Sequence, residues 1–280
     1  MSIVGILFEI MLQEEIGCVY MEEYLLKLSN IEKSFGGTQV LRGLNMHVGK
    51  NEIIGLLGDN GAGKSTLIKC ITGVHKPNGG EIYYKGELLK NHTVKNSRKL
   101  GIETVYQERA LADLQSMWRN MFVGREVRNK LGFINVKRQK AATETLLREH
   151  VGLTSKAITV ETEVKNLSGG EKQGIAISRA LYFDADLIIL DEPTVALSLS
   201  ETAKVQDFIR SIKDAGKSAI YISHNIYHVY DVCDRFVIID RGELAGSIKQ
   251  SDITLENLIA NMEHLARVGT LIDDTKEVIA

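Results

Sequence analysis

Residues 51–73, NEIIGLLGDNGAGKSTLIKCITG, decide the fold. A short apolar strand, a glycine-rich loop and an apolar helix follow one another. The loop, Gly58, Asp59, Asn60, Gly61, Ala62, Gly63, Lys64 and Ser65, fits G-x-x-x-x-G-K-[ST]. Glycine permits the loop torsions and lets backbone N–H groups close on phosphates. The helix that follows offers its positive N-terminus to the same anion. Lys64 is expected to reach the β- and γ-phosphates, and Ser65 to ligate Mg2+. The pattern arises by chance in roughly one chain of this length in a hundred. Its place between a strand and a helix therefore separates it from a plain glycine-rich turn.

A phosphate-binding loop needs a second anchor for the metal. Residues 186–193 read DLIILDEP. Leu187 to Leu190 read as a buried strand, with Asp191 at its C-terminal end, where ligands of open α/β sheets bind. Asp191 is expected to hold Mg2+ through water, and Glu192 to polarise the attacking water as general base. The plainer alternative is two acids capping the next element. It loses because the pair follows a buried strand in a chain that already carries the phosphate loop.

Leu167, Ser168, Gly169, Gly170 and Glu171 form a second glycine-rich helix start, with Ser168 lying 23 residues before Asp191. Alone, Ser before Gly-Gly is an ordinary N-cap and turn. Beside a phosphate-binding loop it reads as a second phosphate-facing surface. One chain is not expected to aim both loops at one nucleotide. The expectation is a composite site, one subunit's Lys64 loop facing another subunit's Ser168 loop with ATP between them.

The chain of 280 residues, 44% of them hydrophobic, has room for one large α/β domain or a domain with a small subdomain. A net charge of −2 gives no global pull toward nucleic acid or anionic lipid. Cys18, Cys70 and Cys233 are far apart, with no CxxC or Cys/His cluster, and read as reduced structural thiols. Residues 1–20 open with an apolar stretch interrupted by Glu9 and followed by Glu14 and Glu15. They make a poor signal peptide and are too short and acidic to span a bilayer. They are expected to be a mobile extension or an artefact of start-codon choice, with an amphipathic membrane-contacting helix as the sharper alternative.

Residues 24–34 and 39–48 alternate apolar and polar, as edge strands do. Residues 81–89 read as one strand, and another ends near Gln107. From 108 to about 166 helical spacing takes over, including a helix over 108–123 and another over 136–153. Further helices are expected over 167–181, 204–216 and 254–262, and strands over 186–193, 218–224 and 234–244. Strands alternating with helices imply a mostly parallel sheet covered on both faces.

With these pieces in place, the chain resembles the ATP-binding subunit of an ABC transporter over nearly all of residues 21–262. Walker A matches 58–66, ending at Thr66; the signature matches 167–171; Walker B matches 187–192. Gln107 and His224 fall at the Q-loop and switch positions. The resemblance implies that Gln107 touches Mg2+, that His224 contacts the γ-phosphate, and that Phe35 stacks on adenine. It implies an α/β P-loop NTPase core of RecA-like type, an antiparallel β subdomain and an inserted α-helical subdomain at about 108–166, followed by a tail over 263–280. Residues 101–112, 120–126 and 194–202 resemble the bacterial importers of simple sugars. That branch often carries Ser where other members carry Asp, so Ser198 falls at the D-loop contact between subunits. There it is expected to retune communication across the dimer while leaving the chemistry competent.

The implied cofactors are ATP and Mg2+. The implied partners are a second ATP-binding subunit, identical or a sister, transmembrane permease subunits, and indirectly a periplasmic or extracellular sugar-binding protein. Nucleic acid is not among them. The implied location is the cytoplasmic face of the membrane. Trp118 and Arg119 are candidate contacts for a coupling helix of the permease, with a core role for Trp118 as the alternative. Two other functions compete. A non-transport ABC ATPase acting on nucleic acid or ribosomes usually carries coiled-coil insertions, zinc sites or tandem domains, and these 280 residues carry no pattern for them, so that reading is not expected. A degenerate copy that only binds would have lost catalytic residues, whereas Lys64, Ser65, Asp191, Glu192 and His224 all stand.

Overall fold

Strands β1 (Tyr24–Phe35) and β2 (Thr38–Gly49) form a hairpin, and β3 (Ile53–Leu57) leads into the glycine-rich loop and helix α1 (Lys64–Ile71). Strands β4 (Gly79–Tyr84) and β5 (Glu87–Leu88), helix α2 (Val94–Lys99) and β6 (Ile102–Val105) follow. Helices α3 (Met117–Phe122), α4 (Val136–Glu149) and α5 (Gly169–Tyr182) precede β7 (Leu187–Asp191). Then come α6 (Leu199–Asp214), β8 (Ser218–Ile222), α7 (Ile226–Tyr230), β9 (Arg235–Asp240), β10 (Glu243–Lys249) and α8 (Leu255–Val268). The computed structural model describes residues 24–105, 111–149 and 158–272. Gln107 and residues 1–20 lie outside the described residues.

Two sheets carry the chain. Strands β2-β1-β4-β5 form an antiparallel sheet, and β10-β9-β3-β8-β7-β6 form a second. In the second, β9, β3, β8, β7 and β6 run parallel and only β10 runs against its neighbour. The parallel strands are apolar on both faces because both faces are covered. Ile54, Leu56, Ile189, Ile220 and Ile222 point into a core shared with the antiparallel sheet and α1. Ile53, Ile188, Leu190, Ala219 and Tyr221 point into a second core built with the later helices. The two cores lock β3, β7 and β8 from either side, so their C-terminal ends make a rigid platform.

Several elements differ from the sequence expectation. Strand β1 is interior, paired with both β2 and β4, because alternation reports one buried face and not a strand's place in its sheet. Residues 81–89 are a hairpin, since Lys85 (φ 52°) and Gly86 (φ 80°) take the two left-handed positions of a tight turn. Residues 234–244 break likewise at Arg241 and Gly242. The helix expected over 108–123 is confined to Met117–Phe122. Residues 113–117 hydrogen bond in extended fashion to 162–165, and the Asn120 amide bonds Ala112 and the Gln115 carbonyl. These bonds leave Leu114 71% exposed. The last helix runs on to Val268, where Gly269 (φ 85°) ends it, so residues 263–268 are helix and not tail. Cys70 and Cys233 are buried free thiols, and burial pushes the Cys70 thiol up to about 11.

Arg235 joins the two sheets. Its guanidinium, almost fully buried on β9, donates to Glu52 (Nε to Oε1 2.7 Å; Nη2 to Oε2 3.0 Å), to the His47 carbonyl of β2 (3.0 Å) and to Ser247 of β10 (2.9 Å). The planar fork meets the carboxylate through two bonds. Removing one partner leaves the other charge buried and unpaired. Glu52→Ala is therefore predicted to destabilise the fold by about 3–5 kcal/mol, read as a fall in the denaturant midpoint; a loss within ~0.5 kcal/mol, the range of an ordinary surface change, would refute that role.

Candidate functional site

Three adjacent parallel strands assemble the site. β8 lies between β3 and β7, with Leu56 and Asp191 both registered on Ile222. The C-terminal end of β3 carries the glycine-rich loop, that of β7 carries Asp191 and Glu192, and that of β8 carries Ser223 and His224. Residues 134 positions apart in sequence, Gly58 and Glu192, thus meet at one edge of the sheet.

The loop depends on its glycines. Gly58 sits at φ 147°, and a Cβ there would lie 2.2 Å from the Ile239 carbonyl oxygen. Gly63 sits at φ 108° as the N-cap of α1, with no side-chain cap, against Val40 and Leu41. The Lys64 ammonium donates back to the carbonyls of Gly58 (2.6 Å) and Asp59 (3.0 Å), bracing the loop. Burial lowers the Lys64 pKa, opposed by Glu192, Asp59 and Asp191. The N–H groups of Gly61, Gly63, Lys64, Ser65 and Thr66 bond to no described residue. That fan of donors at a helix start is a cradle for an anion. Gly58 to Thr66 thus form one loop and helix start at the C-terminal end of β3.

Glu192 is held from three sides. Its Oε1 accepts from the His224 backbone N–H (3.0 Å) and lies 3.0 Å from His224 Nδ1, which donates in the Nδ1–H tautomer; its Oε2 accepts from Ser223 Oγ (3.3 Å). Its own backbone is left-handed (φ 51°), a conformation that is uncommon outside glycine, and its N–H donates to the Ile222 carbonyl. Burial and then the Glu192 charge push the Asp191 carboxyl up, while Lys64 and Lys69 pull it down. Beneath, Thr194 bonds Tyr221 and His228, and burial lowers the His228 pKa. Ser223 and this Thr194 group were missed in the sequence, where nothing but adjacency to His224 points to them.

Two carboxylates crowded at one sheet edge, with the exposed Ser65 hydroxyl in the first turn of α1, suit a divalent cation. Among the described residues no cluster of three or more His, Cys, Asp or Glu could hold a metal alone. Such an ion would complete its oxygen shell from phosphate and water, as Mg2+ does.

The remaining residues divide. Phe35 is 44% exposed at the β1–β2 turn, edge-on to His75, so it is no core aromatic. Trp118 is buried, its Nε1 donating to Glu161 (3.1 Å), and Arg119 is exposed. The core role fits Trp118. Leu167 is buried and Ser168 N-caps α5 in a capping box with Glu171. No hydrogen bond joins the Ser168 loop to the Lys64 loop among the described residues. Ser198 N-caps α6 in a second capping box, with Glu201. Both boxes carry the S-x-x-E spacing of that motif, and Glu201 is the residue missed in the sequence.

A glycine-rich anion cradle facing a clasped carboxylate at the ends of parallel strands defines a P-loop nucleotide-binding domain. Residues 41–195 match the family model for ABC transporters. The chain is 40% identical over 242 residues to the xylose/arabinose import ATP-binding protein XylG of Sulfolobus acidocaldarius, covering 86% of this chain and 95% of that protein. It is 34% identical over 240 residues to the ribose import ATP-binding protein RbsA of Caldanaerobacter subterraneus subsp. tengcongensis, again 86% of this chain but 48% of that protein. The chain thus spans nearly all of the first and about half the length of the second. The ADP conformation of MJ1267, an ATP-binding cassette of an ABC transporter, superposes with a TM-score of 0.73 at 22% identity over 87% of this chain and 97% of that one, which shows the fold. The chain belongs to the ABC transporter family of ATP-binding proteins. No helix among the described residues is long and apolar enough to cross a membrane.

Gly58→Ala is predicted to push the loop off the Ile239 carbonyl and lower ATP affinity at least about tenfold, the scale of ~1.4 kcal/mol. Isothermal titration with unchanged affinity would show that the close approach is not needed for binding.

Proposed function

We propose that this chain is the ATP-hydrolysing motor subunit of an importer for a simple sugar. The observation that carries the reading is the placement of Glu192, clasped by His224 and Ser223 beside the unpaired N–H groups of the Lys64 loop. Lys64 would release its two carbonyls to reach the β- and γ-phosphates, and the loop N–H groups would orient them. Glu192 would take the proton of the attacking water, while His224 fixes the carboxylate and faces the γ-phosphate. Phe35 would carry the adenine.

Ser65, Asp191 and Gln107 would hold Mg2+. The ion when bound neutralises charge on the β- and γ-phosphates. The Leu167 to Glu171 loop would serve the nucleotide of a second subunit, and Ser198 would lie at that dimer contact. ATP then drives closure because it binds the closed pair more tightly than the open one. The relatives named for pentose import support a simple sugar as the cargo, with permease subunits holding the chain at the membrane and a sugar-binding protein delivering the solute. Residues 21–262 would form the cassette, with the helical subdomain at about 108–166.

Glu192→Gln is predicted to lower ATP turnover by at least about a hundredfold, the low end for a general base, while an ATP-bound dimer accumulates on size exclusion. Undiminished phosphate release would remove Glu192 from the role of base. Ser168→Arg is predicted to block that dimer with ATP binding by the monomer intact; loss of monomer binding would sink the composite site.

A further inference from the structure

The starts of α1 and α5 present opposite situations. At α1 the early N–H groups bond to nothing described. At α5 the early N–H groups are already taken. Ser168 N donates to Glu171 Oε2 (2.8 Å), Glu171 N to Ser168 Oγ (3.3 Å), and Gly170 N to Glu201 Oε1 (3.3 Å). Glu201 does not belong to α5. It lies 31 residues beyond Gly170, in the first turn of α6, where its Oε2 accepts from Ser198 N (3.0 Å) and Ser198 Oγ (2.9 Å).

One carboxylate therefore binds two helix starts together. The approach is close: a Cβ on Gly170 would lie 3.3 Å from Glu201 Cβ and 3.4 Å from its Cα. The Ser198 N–H, the Ser198 hydroxyl and then the Gly170 N–H hold the Glu201 carboxyl down to about 2, with a further contribution from Gly169, so it is ionised. The pairing also accounts for Ser at position 198. Its hydroxyl donates to the Glu201 carboxylate, which an Asp side chain cannot do when ionised.

We infer that Glu201 is a positioning residue that occupies the Gly170 N–H in place of a nucleotide phosphate, and that a phosphate arriving from a second subunit must displace it before the dimer closes. This rests on the composite-site reading proposed above. Glu201 sets a threshold for closure: the open subunit keeps its Ser168 loop satisfied internally, and the incoming phosphate must outcompete a carboxylate. The same carboxylate holds Ser198 through its other oxygen, so a shift of Glu201 at α5 is felt at the start of α6. Ser198 lies six residues after Glu192, so occupation of one ATP site is passed toward the base of the other.

The test uses the full chain in the Glu192→Gln background, with ATP and Mg2+ titrated and dimer measured by analytical ultracentrifugation. Gln at 201 keeps the size of the side chain but loses the charge, and hydrogen bonds to charged groups are roughly twice as strong as neutral ones. Glu201→Gln is expected to lower the ATP concentration for half-maximal dimer at least about fivefold. Affinity of the monomer for ATP, measured in the Ser168→Arg background, is expected to stay the same. Glu201→Asp, which keeps the charge, is expected to stay nearer the parent midpoint than the Gln variant. An unchanged or raised midpoint for a folded Glu201→Gln protein overturns the inference. Equal shifts for Gln and Asp also overturn it, because they mark the loss of a helix cap alone. If Glu192→Gln forms no ATP-dependent dimer at all, the composite site fails and the inference falls with it.

Discussion

The parallel pairing of β8 with β3 on one side and β7 on the other is the constraint on which the rest of the molecule depends. It registers Leu56 and Asp191 on the same residue, Ile222, and so brings the ends of three strands level. Everything chemical follows from that alignment. The glycine-rich loop leaves β3, the two acids end β7, and Ser223 with His224 leave β8 within hydrogen-bond reach of Glu192. The ladder is held by two apolar cores, one on each face, into which apolar side chains point alternately along β3, β7 and β8. A one-residue slip would turn each of those side chains to the opposite core and would part Glu192 from His224. Arg235 then fixes the antiparallel sheet, with Phe35 at its turn, against this platform.

Two helix starts meet their polar obligations in different ways, and that difference organises the proposed mechanism. At α1, glycine replaces a capping side chain, so the backbone donors remain open to phosphate. At α5, Ser168 and Glu171 cap each other and Glu201 supplies a further carboxylate. An open cradle binds its ligand at once, whereas a satisfied one binds only by exchange. A motor of the kind proposed, whose closure waits for a second subunit, would have use for both. The duplicated capping box, at 168–171 and again at 198–201, ties the exchange to the segment that follows Glu192.

Much of this was legible in the sequence because it rests on short-range chemistry. The glycine pattern at 58–63 marks left-handed backbone and close approach, and Gly58 and Gly63 show both. LIIL before Asp191 marks a strand buried on two faces, and β7 is one. What was misread depends on partners distant in sequence. Residues 108–123 have helical spacing, yet extended pairing with residues 162–165 and the Asn120 amide confine the helix to Met117–Phe122. For Trp118 the spacing left a core role and a partner contact both open, and its burial with the N–H given to Glu161 favours the core role. Glu201 looks like a surface acid on a helix until α5 is placed against it.

The central claim is that each ATP site is shared between two subunits, and mixing two inactive variants tests it most directly. A Lys64→Ala subunit keeps its Ser168 loop, and a Ser168→Arg subunit keeps its Lys64 loop. Each variant alone should be inactive. Mixed at equal concentration, they can form a pair with one complete site, and the account predicts that steady-state phosphate release returns in proportion to the mixed dimer. Phosphate release that stays at the level of the separate variants, with mixed dimers shown to be present, would contradict it.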